Sequence, residues 1–394
     1  MTTAIKAGWL WDGTGAAPVR HGVVLVDGER IVAVGPAAAV TVPDDAEVVD
    51  LPDEFLMPGL IDAHTHITIV PGLGDQIGQL MQPIERQTMR GVGNMRRVLR
   101  SGVTTARIMA EEAWLDVAFK AEVERGTIAS PRLIISTRAI TQSNGHGRAI
   151  SAFDGVGEVR KGARENLHAG AEFLKLFITG GVSSTRSGGL SAASYSREEI
   201  RVAVEEADRA GTYVAAHAIG GPGIRIGVEE GIRTIEHASM ATDDDIALIK
   251  EKGAWIVLTQ AILLHSTGIE QGDRDNPVIM AKLHAARESA AERFRTIVRS
   301  GVRLSVGTDS MHGLLPFEIA CLVRWGMSNA DALLAGTRWA AECCRIEDRT
   351  GTLENGKLAD LISLRGNPLE EIGALEQVNL IMKGGTRYDG LSAQ

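Results

Sequence analysis

The chain has 394 residues, 44% of them hydrophobic and 23% charged. That suits one large folded domain with a small companion, and it excludes disordered, collagen-like and coiled-coil chains. Asp and Glu outnumber Lys and Arg by 50 to 41, with no basic patch, so no nucleic-acid partner is expected.

Residues 1–12 hold one Lys and no apolar run of signal-peptide length, and no run of membrane-spanning length occurs, so no membrane partner is expected. Residues 4–55 read as short strands and turns. The runs 22–26 and 30–34 flank Asp27-Gly28, a strong hairpin signal. From Leu56 to Ser310 one cadence repeats: a helix-period segment closes on Gly, and a short apolar run follows. Gly102, Gly170, Gly211, Gly231, Gly253 and Gly301 hold the closing position, where a helix end favours a left-handed residue. The runs 132–140, 173–179, 213–219, 255–258 and 303–306 suit strands buried on both faces. Ser196-Arg-Glu-Glu199 is a capping box, with Ile200, Val204 and Ala207 at helical spacing behind it. About eight strand–helix units over about 255 residues predict an α/β fold, a (β/α)8 TIM barrel. Residues 350–388 become strand-like again, at 358–364 and 378–382. Residues 1–55 and 350–394 are therefore expected to build a small β-sandwich domain beside a barrel of residues 56–349. Cys321, Cys343 and Cys344 cannot form a disulfide framework, which points to reduced thiols and a cytoplasmic location.

The residues that carry chemistry fall at the ends of predicted strands. In Met57-Pro-Gly-Leu-Ile-Asp-Ala-His64-Thr-His66, His64 and His66 stand two apart on a strand, so both rings leave one face and form half of a metal site. His217 ends the run 213–217, His237 follows Thr234-Ile-Glu, and Asp309 ends the run 304–309. In a barrel, strand C-termini meet at one mouth. A single histidine is most simply a core or rim residue; four histidines and an aspartate all at strand ends are not. Lys175 lies inside Phe173-Leu-Lys175-Leu-Phe177, where a free ammonium is costly to bury. It either snorkels to the mouth or has reacted with CO2. The carbamate is an anion with two oxygens, suited to bridging two cations.

The ordered set His64, His66, Lys175, His217, His237 and Asp309 resembles the metal-dependent amidohydrolase superfamily over nearly the whole chain. The likeness includes the Pro58-Gly-Leu-Ile-Asp-x-His-x-His run and the terminal Gly351-Thr-Leu-Glu-Asn-Gly-Lys-Leu-Ala-Asp360. Lys175-Leu-Phe-Ile-Thr-Gly-Gly181 and Ile235-Glu-His237 are most similar to its prolidase-like and imidazolonepropionase-related branch. The resemblance implies two divalent ions, zinc by default, with manganese or cobalt suited to the same donors. His64, His66 and Asp309 would hold the first, His217 and His237 the second, and carboxylated Lys175 would bridge them. It implies hydrolysis of an amide-type C–N bond in a small molecule: a dipeptide, an N-acyl amino acid or an arylamide. A metal-bridging hydroxide would attack, with Asp309 as general base and then acid. A homo-oligomer is common among such enzymes and is expected. Cyclic amides with imidazolone- or hydantoin-like rings stay open, as do carbamate, urea and ester xenobiotics. Mononuclear deaminases lack the lysine, and non-catalytic scaffold proteins lose ligands that this chain keeps.

Thr141-Gln-Ser-Asn-Gly-His146-Gly-Arg148 follows the third predicted barrel strand. His146 is expected to act catalytically on the substrate carbonyl and Arg148 to bind a carboxylate, against the plainer reading of a polar loop held by glycines. His312, three residues past Asp309, is a candidate for the pocket wall. Arg186 in a Gly/Ser-rich loop either meets an anion or faces solvent. Related enzymes often carry Tyr two residues after the His217 position, and here Ile219 stands there. A group that would stabilise the oxyanion is missing, and an apolar, substrate-binding wall is expected. Met109, Trp114, Met240 and Leu263 are candidates for more of that wall, or for plain core.

Overall fold

The computed structural model describes residues 2–185 and 188–388. Four strands open the chain: β1 (Thr2–Leu10), β2 (Val19–Asp27), β3 (Arg30–Pro36) and β4 (Glu47–Pro58). Eight more alternate with helices: β5 (Leu60–Thr65), β6 (Val103–Ile108), β7 (Arg132–Ile135), β8 (Leu174–Phe177), β9 (Val214–Gly220), β10 (Thr234–Met240), β11 (Trp255–Leu258) and β12 (Arg303–Val306). Three short ones close it: β13 (Leu361–Leu364), β14 (Val378–Lys383) and β15 (Thr386–Arg387).

The strands β5 to β12 form two parallel sheets, β5-β6-β7 and β12-β11-β10-β9-β8. Every residue of β5, β6, β8, β9 and β11 is buried, as the continuous apolar runs required. The six closing glycines all take positive φ, from +69° at Gly253 to +107° at Gly170. The capping box forms as expected: Ser196 Oγ accepts from the Glu199 N–H, and the Glu199 carboxylate accepts from the Ser196 N–H.

Hydrogen bonds cross between the two parallel sheets at both edges. The run 132–140 leaves the ladder after Ile135, because Thr137 turns left-handed (φ +63°) with its N–H held by Asp116. Ile140 then rejoins beside β8: its N–H donates to the Lys175 carbonyl, and the Phe177 N–H donates to the Ile140 carbonyl. At the other edge the Asp309 N–H donates to the His64 carbonyl at 2.7 Å. Asp62 accepts from the Thr308 N–H and hydroxyl there. Gly307 permits this approach, since a Cβ on it would lie 2.4 Å from the His64 nitrogen.

The two chain ends meet in one sheet. Its order is β15-β14-β13-β4-β1-β2-β3, so β4 pairs with β1 on one side and β13 on the other. Where two facing sheets of a sandwich were expected, hydrogen bonds join all seven strands edge to edge. β4 also runs to Pro58, past the expected boundary at residue 55. Arg132 on β7 pairs with the buried Asp360 and ties this sheet to the parallel ones. Among the described residues, no helix is long and apolar enough to cross a membrane.

Arg107 on β6 and Glu236 on β10 have no solvent exposure. The Arg107 Nη2 sits 2.9 and 3.1 Å from the two Glu236 oxygens, and its Nε–H donates to the Ala63 carbonyl at 2.6 Å. This pair spans the interior between the two parallel sheets. Burial alone would push the Glu236 carboxyl up, but Arg107, the His64 hydrogen bond and Lys175 bring it down to about 2. Arg107→Met would leave a buried carboxylate without its counter-charge, and is expected to lower unfolding free energy by about 3–5 kcal/mol. A chemical-denaturation midpoint unchanged from wild type would remove this pair from the account of stability.

Candidate metal centre and active site

Six of the expected residues line one cavity at the C-terminal ends of the parallel strands: His64, His66, Lys175, His217, His237 and Asp309. His64 and His66 come from the end of β5, Lys175 from β8, His217 from β9, His237 from β10, and Asp309 from just past β12. His64 Nε2 lies 3.3 Å and His66 Nε2 3.5 Å from Asp309 Oδ1. One ligand atom from each of these three falls within a 4.8 Å group that could hold a metal ion. The His64 and His237 ring centroids are 4.8 Å apart, and those of His217 and His237 4.6 Å.

Each histidine has one ring nitrogen engaged. The His64 Nδ1–H donates to Glu236 at 2.8 Å, and the His66 Nδ1–H to the Ala110 carbonyl at 3.0 Å. The His217 Nε2–H donates to the Gly180 carbonyl at 2.9 Å, and His237 Nδ1 bonds the Thr259 hydroxyl at 2.7 Å. Such partners fix ring orientation and tautomer, and they leave the second nitrogen of each ring for a ligand. His237 (φ +74°) and Asp309 (φ +46°) are both left-handed non-glycine residues. Each such conformation costs roughly 1–3 kcal/mol and must be held by its surroundings.

The electrostatics suit a cation. Burial, with neighbouring histidines and Lys175, pushes His217 and His237 well below the ordinary imidazole range, so both are neutral. Burial opposes ionisation of Asp309, yet the close approach of His64, with His66 and His237 beside it, holds it well below the usual carboxylate range. Lys175 is 1% exposed, and its Nζ has no hydrogen-bond partner. Burial lowers it to about 8 against the attraction of Glu236 and Asp309.

His146 also lines the cavity, with its ring 4.4 Å from that of His217. Burial lowers its pKa to about 3, and its Nδ1 is buried without a partner. Gly181 makes room for it, since a Cβ there would lie 2.4 Å from the imidazole. Ile219 and Leu263 are on the wall, as expected. Arg148 opens instead on an outer recess beyond Ile77 and Ser183, and it is not on the cavity wall. His312 also stands behind the wall: its Nε2–H donates to the His66 carbonyl at 2.7 Å, so it steadies a candidate ligand's backbone. Met109, Trp114 and Met240 are away from the cavity, and Arg186 lies outside the described residues.

Sequence reasoning assigned no role to Glu236, Arg107, Asp62 or Gln76. Glu236 precedes His237 directly, and a charge inside an apolar strand was the signal that singled out Lys175. Arg107 in Val-Thr-Thr-Ala-Arg-Ile carries the same signal on β6.

Residues 55–388 match the amidohydrolase family. Ochratoxinase of Aspergillus niger is 30% identical, over 98% of this chain and 87% of that protein. A crystal structure of a Xaa-Pro dipeptidase with methionine bound in its active site superposes with TM-score 0.89 at 27% identity, covering 99% of this chain and 100% of that one. A prolidase complexed with N-methylphosphonate-L-proline gives TM-score 0.89 at 28% identity, covering 98% and 99%. With the family match running from β4 through β15 and across every candidate ligand, the chain belongs to the amidohydrolase family and is a hydrolase acting on carbon–nitrogen bonds.

Proposed function

We propose that this hydrolase cleaves an amide-type C–N bond of a small molecule at a binuclear metal centre. In this reading the two parallel sheets close into one (β/α)8 barrel of residues 56–349, and residues 1–55 and 350–394 form a separate small domain. His64, His66 and Asp309 would hold one divalent ion, His217 and His237 the other, and Lys175 carboxylated on Nζ would link them. Zinc suits this donor set best, and manganese or cobalt fit it as well. The three cysteines are buried and free, which favours a reducing compartment such as the cytoplasm.

Lys175 Nζ carries the reading. It is a buried donor with no partner, in a cavity shared with four candidate histidine ligands. An orphaned donor of this kind is costly to keep. Addition of the neutral amine to CO2 forms an N–C bond and releases one proton. The buried positive charge disappears, and two acceptor oxygens replace it.

Bound divalent ions would supply Lewis-acid polarisation of the scissile carbonyl and a lowered pKa for a coordinated water. The chain's own groups do the rest. Asp309 is ionised and lines the cavity, so it accepts the proton of the attacking water and returns it to the leaving nitrogen. His146 is held neutral by burial and offers its imidazole to the substrate carbonyl. Ile219 excludes water on the side where a tyrosine would have donated a hydrogen bond.

Four substitutions test the assignment. His64→Asn or His237→Asn is expected to lose metal and activity together; full metal content by elemental analysis in either would remove that ligand. Asp309→Asn is expected to lose turnover by about 100- to 10,000-fold with the fold retained by circular dichroism. Near-wild-type kcat would take Asp309 out of the mechanism. Lys175→Ala is expected to lose activity and recover part of it in a short carboxylic acid, which supplies the missing bridging oxygens. Absence of recovery at any acid concentration would count against the carbamate.

A further inference from the structure

Which substrate the cavity accepts is written in the groups that line it. Among the described residues, Lys175 is the one Lys or Arg side chain on the wall. If Lys175 is committed to the metal bridge, nothing described there pairs with a substrate carboxylate. The carboxylates besides Asp309 are Glu111 and Glu112, and both are engaged. Glu111 accepts from the Ile67 and Thr68 N–H groups and the Thr68 hydroxyl. Glu112 accepts from the Ile150 and Ser151 N–H groups and the Ser151 hydroxyl. No spare anion is left there for a substrate ammonium. Much of the remaining wall is apolar, from Ile69, Leu80 and Phe177 to Ile219, Ile262 and Leu263, with Gln76, His146, Ser183 and Thr259 among its polar members.

One polar group on that wall has no task in the hydrolytic reading. Gln76 opens the helix Gln76–Leu80 and is 6% exposed, and its Nε2 is buried without a hydrogen-bond partner. An amide donor kept in an apolar wall is stabilised by a ligand acceptor and by nothing else described around it. Ile77, the next residue, lines both the cavity and the outer recess, where Met81 is 58% exposed. The segment carrying Gln76 thus lies between the cavity and that recess.

We infer that the substrate is an uncharged amide with an apolar flanking group, such as a neutral arylamide, and that Gln76 donates to an acceptor on that group. The inference rests on the amide-hydrolase reading above. It excludes zwitterionic dipeptides, whose two charged ends find no free counter-charge among the described residues of the wall. An unpaired charge in such a wall is penalised far more than a missing hydrogen bond.

The test uses metal-loaded full-length protein and four compounds: acetanilide, 4-acetylacetanilide, 4-acetamidobenzoate and the dipeptide alanyl-proline. Binding is measured by calorimetry on Asp309→Asn, and kcat/KM on the wild type. The ketone compound is expected to bind at least about tenfold more tightly than its carboxylate counterpart and the dipeptide. Gln76→Leu is expected to erase the advantage of 4-acetylacetanilide over acetanilide and to leave acetanilide binding unchanged. Equal or tighter binding of 4-acetamidobenzoate or the dipeptide overturns the inference. So does weakening of both anilides alike by Gln76→Leu, which would make the residue structural, and so does binding of none of the four. Selective binding with no turnover of any compound supports the pocket and overturns the amide-hydrolase reading instead.

Discussion

A guanidinium and a carboxylate with no solvent exposure stand directly beneath the candidate metal ligands, and both the fold and the site lean on them. A carboxylate buried to this degree is tolerable only with a counter-charge and filled hydrogen-bond positions. Glu236 has both: Arg107 on one side, the Thr234 hydroxyl, and the His64 Nδ1–H on the other. Because Glu236 is ionised it accepts from Nδ1, and that leaves His64 Nε2 turned towards Asp309. The contact that joins β6 to β10 therefore also sets the tautomer of a candidate ligand. Loss of the guanidinium would be felt twice, as an uncompensated charge in the interior and as a loosened ring above it.

Above that pair the cavity holds groups that do not satisfy one another. Two neutral imidazoles face a third ring, Lys175 has no hydrogen-bond partner, and His237 and Asp309 both sit in left-handed backbone. Hydrogen bonds outside the cavity impose this arrangement: the Asp309 N–H on the His64 carbonyl, Asp62 on Thr308, His312 on the His66 carbonyl. Donor atoms kept close with their charges uncancelled are what a divalent cation needs. Burial keeps the His217 and His237 imidazoles unprotonated, so a cation need not compete with protons for them.

The sequence showed these donors because they obey two independent rules at once. They are ligand-type residues, and they stand at the C-terminal ends of apolar runs. The closing glycines were legible for a similar reason, since the positive φ found at Gly102, Gly170 and the other four follows from the helix end alone. Glu236 and Arg107 gave a weaker signal, a charge in an apolar strand, and its meaning depends on which strand faces which across the interior. The departure at Thr137 depends on Asp116 from a different element, which no local pattern records. Arg148 is expected at the mouth because its segment follows the third barrel strand, and His312 because it lies three residues past Asp309. Two residues past His146 is far enough for a loop to turn a side chain into the next recess, and His312 turns its ring back onto the β5 end. The joining of all seven terminal strands through β4 is likewise a long-range pairing, between residues about 300 positions apart, as in Leu56 opposite Ser363.

Chemistry and selectivity reside on different parts of this chain, and that separation has a physical basis. The candidate ligands are anchored to strand ends bonded into the buried interior: His64 touches the Arg107–Glu236 pair, and the backbone of His64, Lys175 and Asp309 takes part in the crossings between the sheets. The groups that meet the rest of a substrate sit largely on connecting segments: Gln76 on a short helix after β5, Val182 past β8, Leu263 past β11. Those segments contribute surface to the cavity without holding the sheets together. A change at Ile219 would alter what the wall presents to a substrate and leave the candidate ligand contacts in place. Selectivity can therefore change by substitutions on those segments that leave the candidate ligands in place: among the described residues the wall carries no Lys or Arg besides Lys175, while all six candidate donors line the cavity.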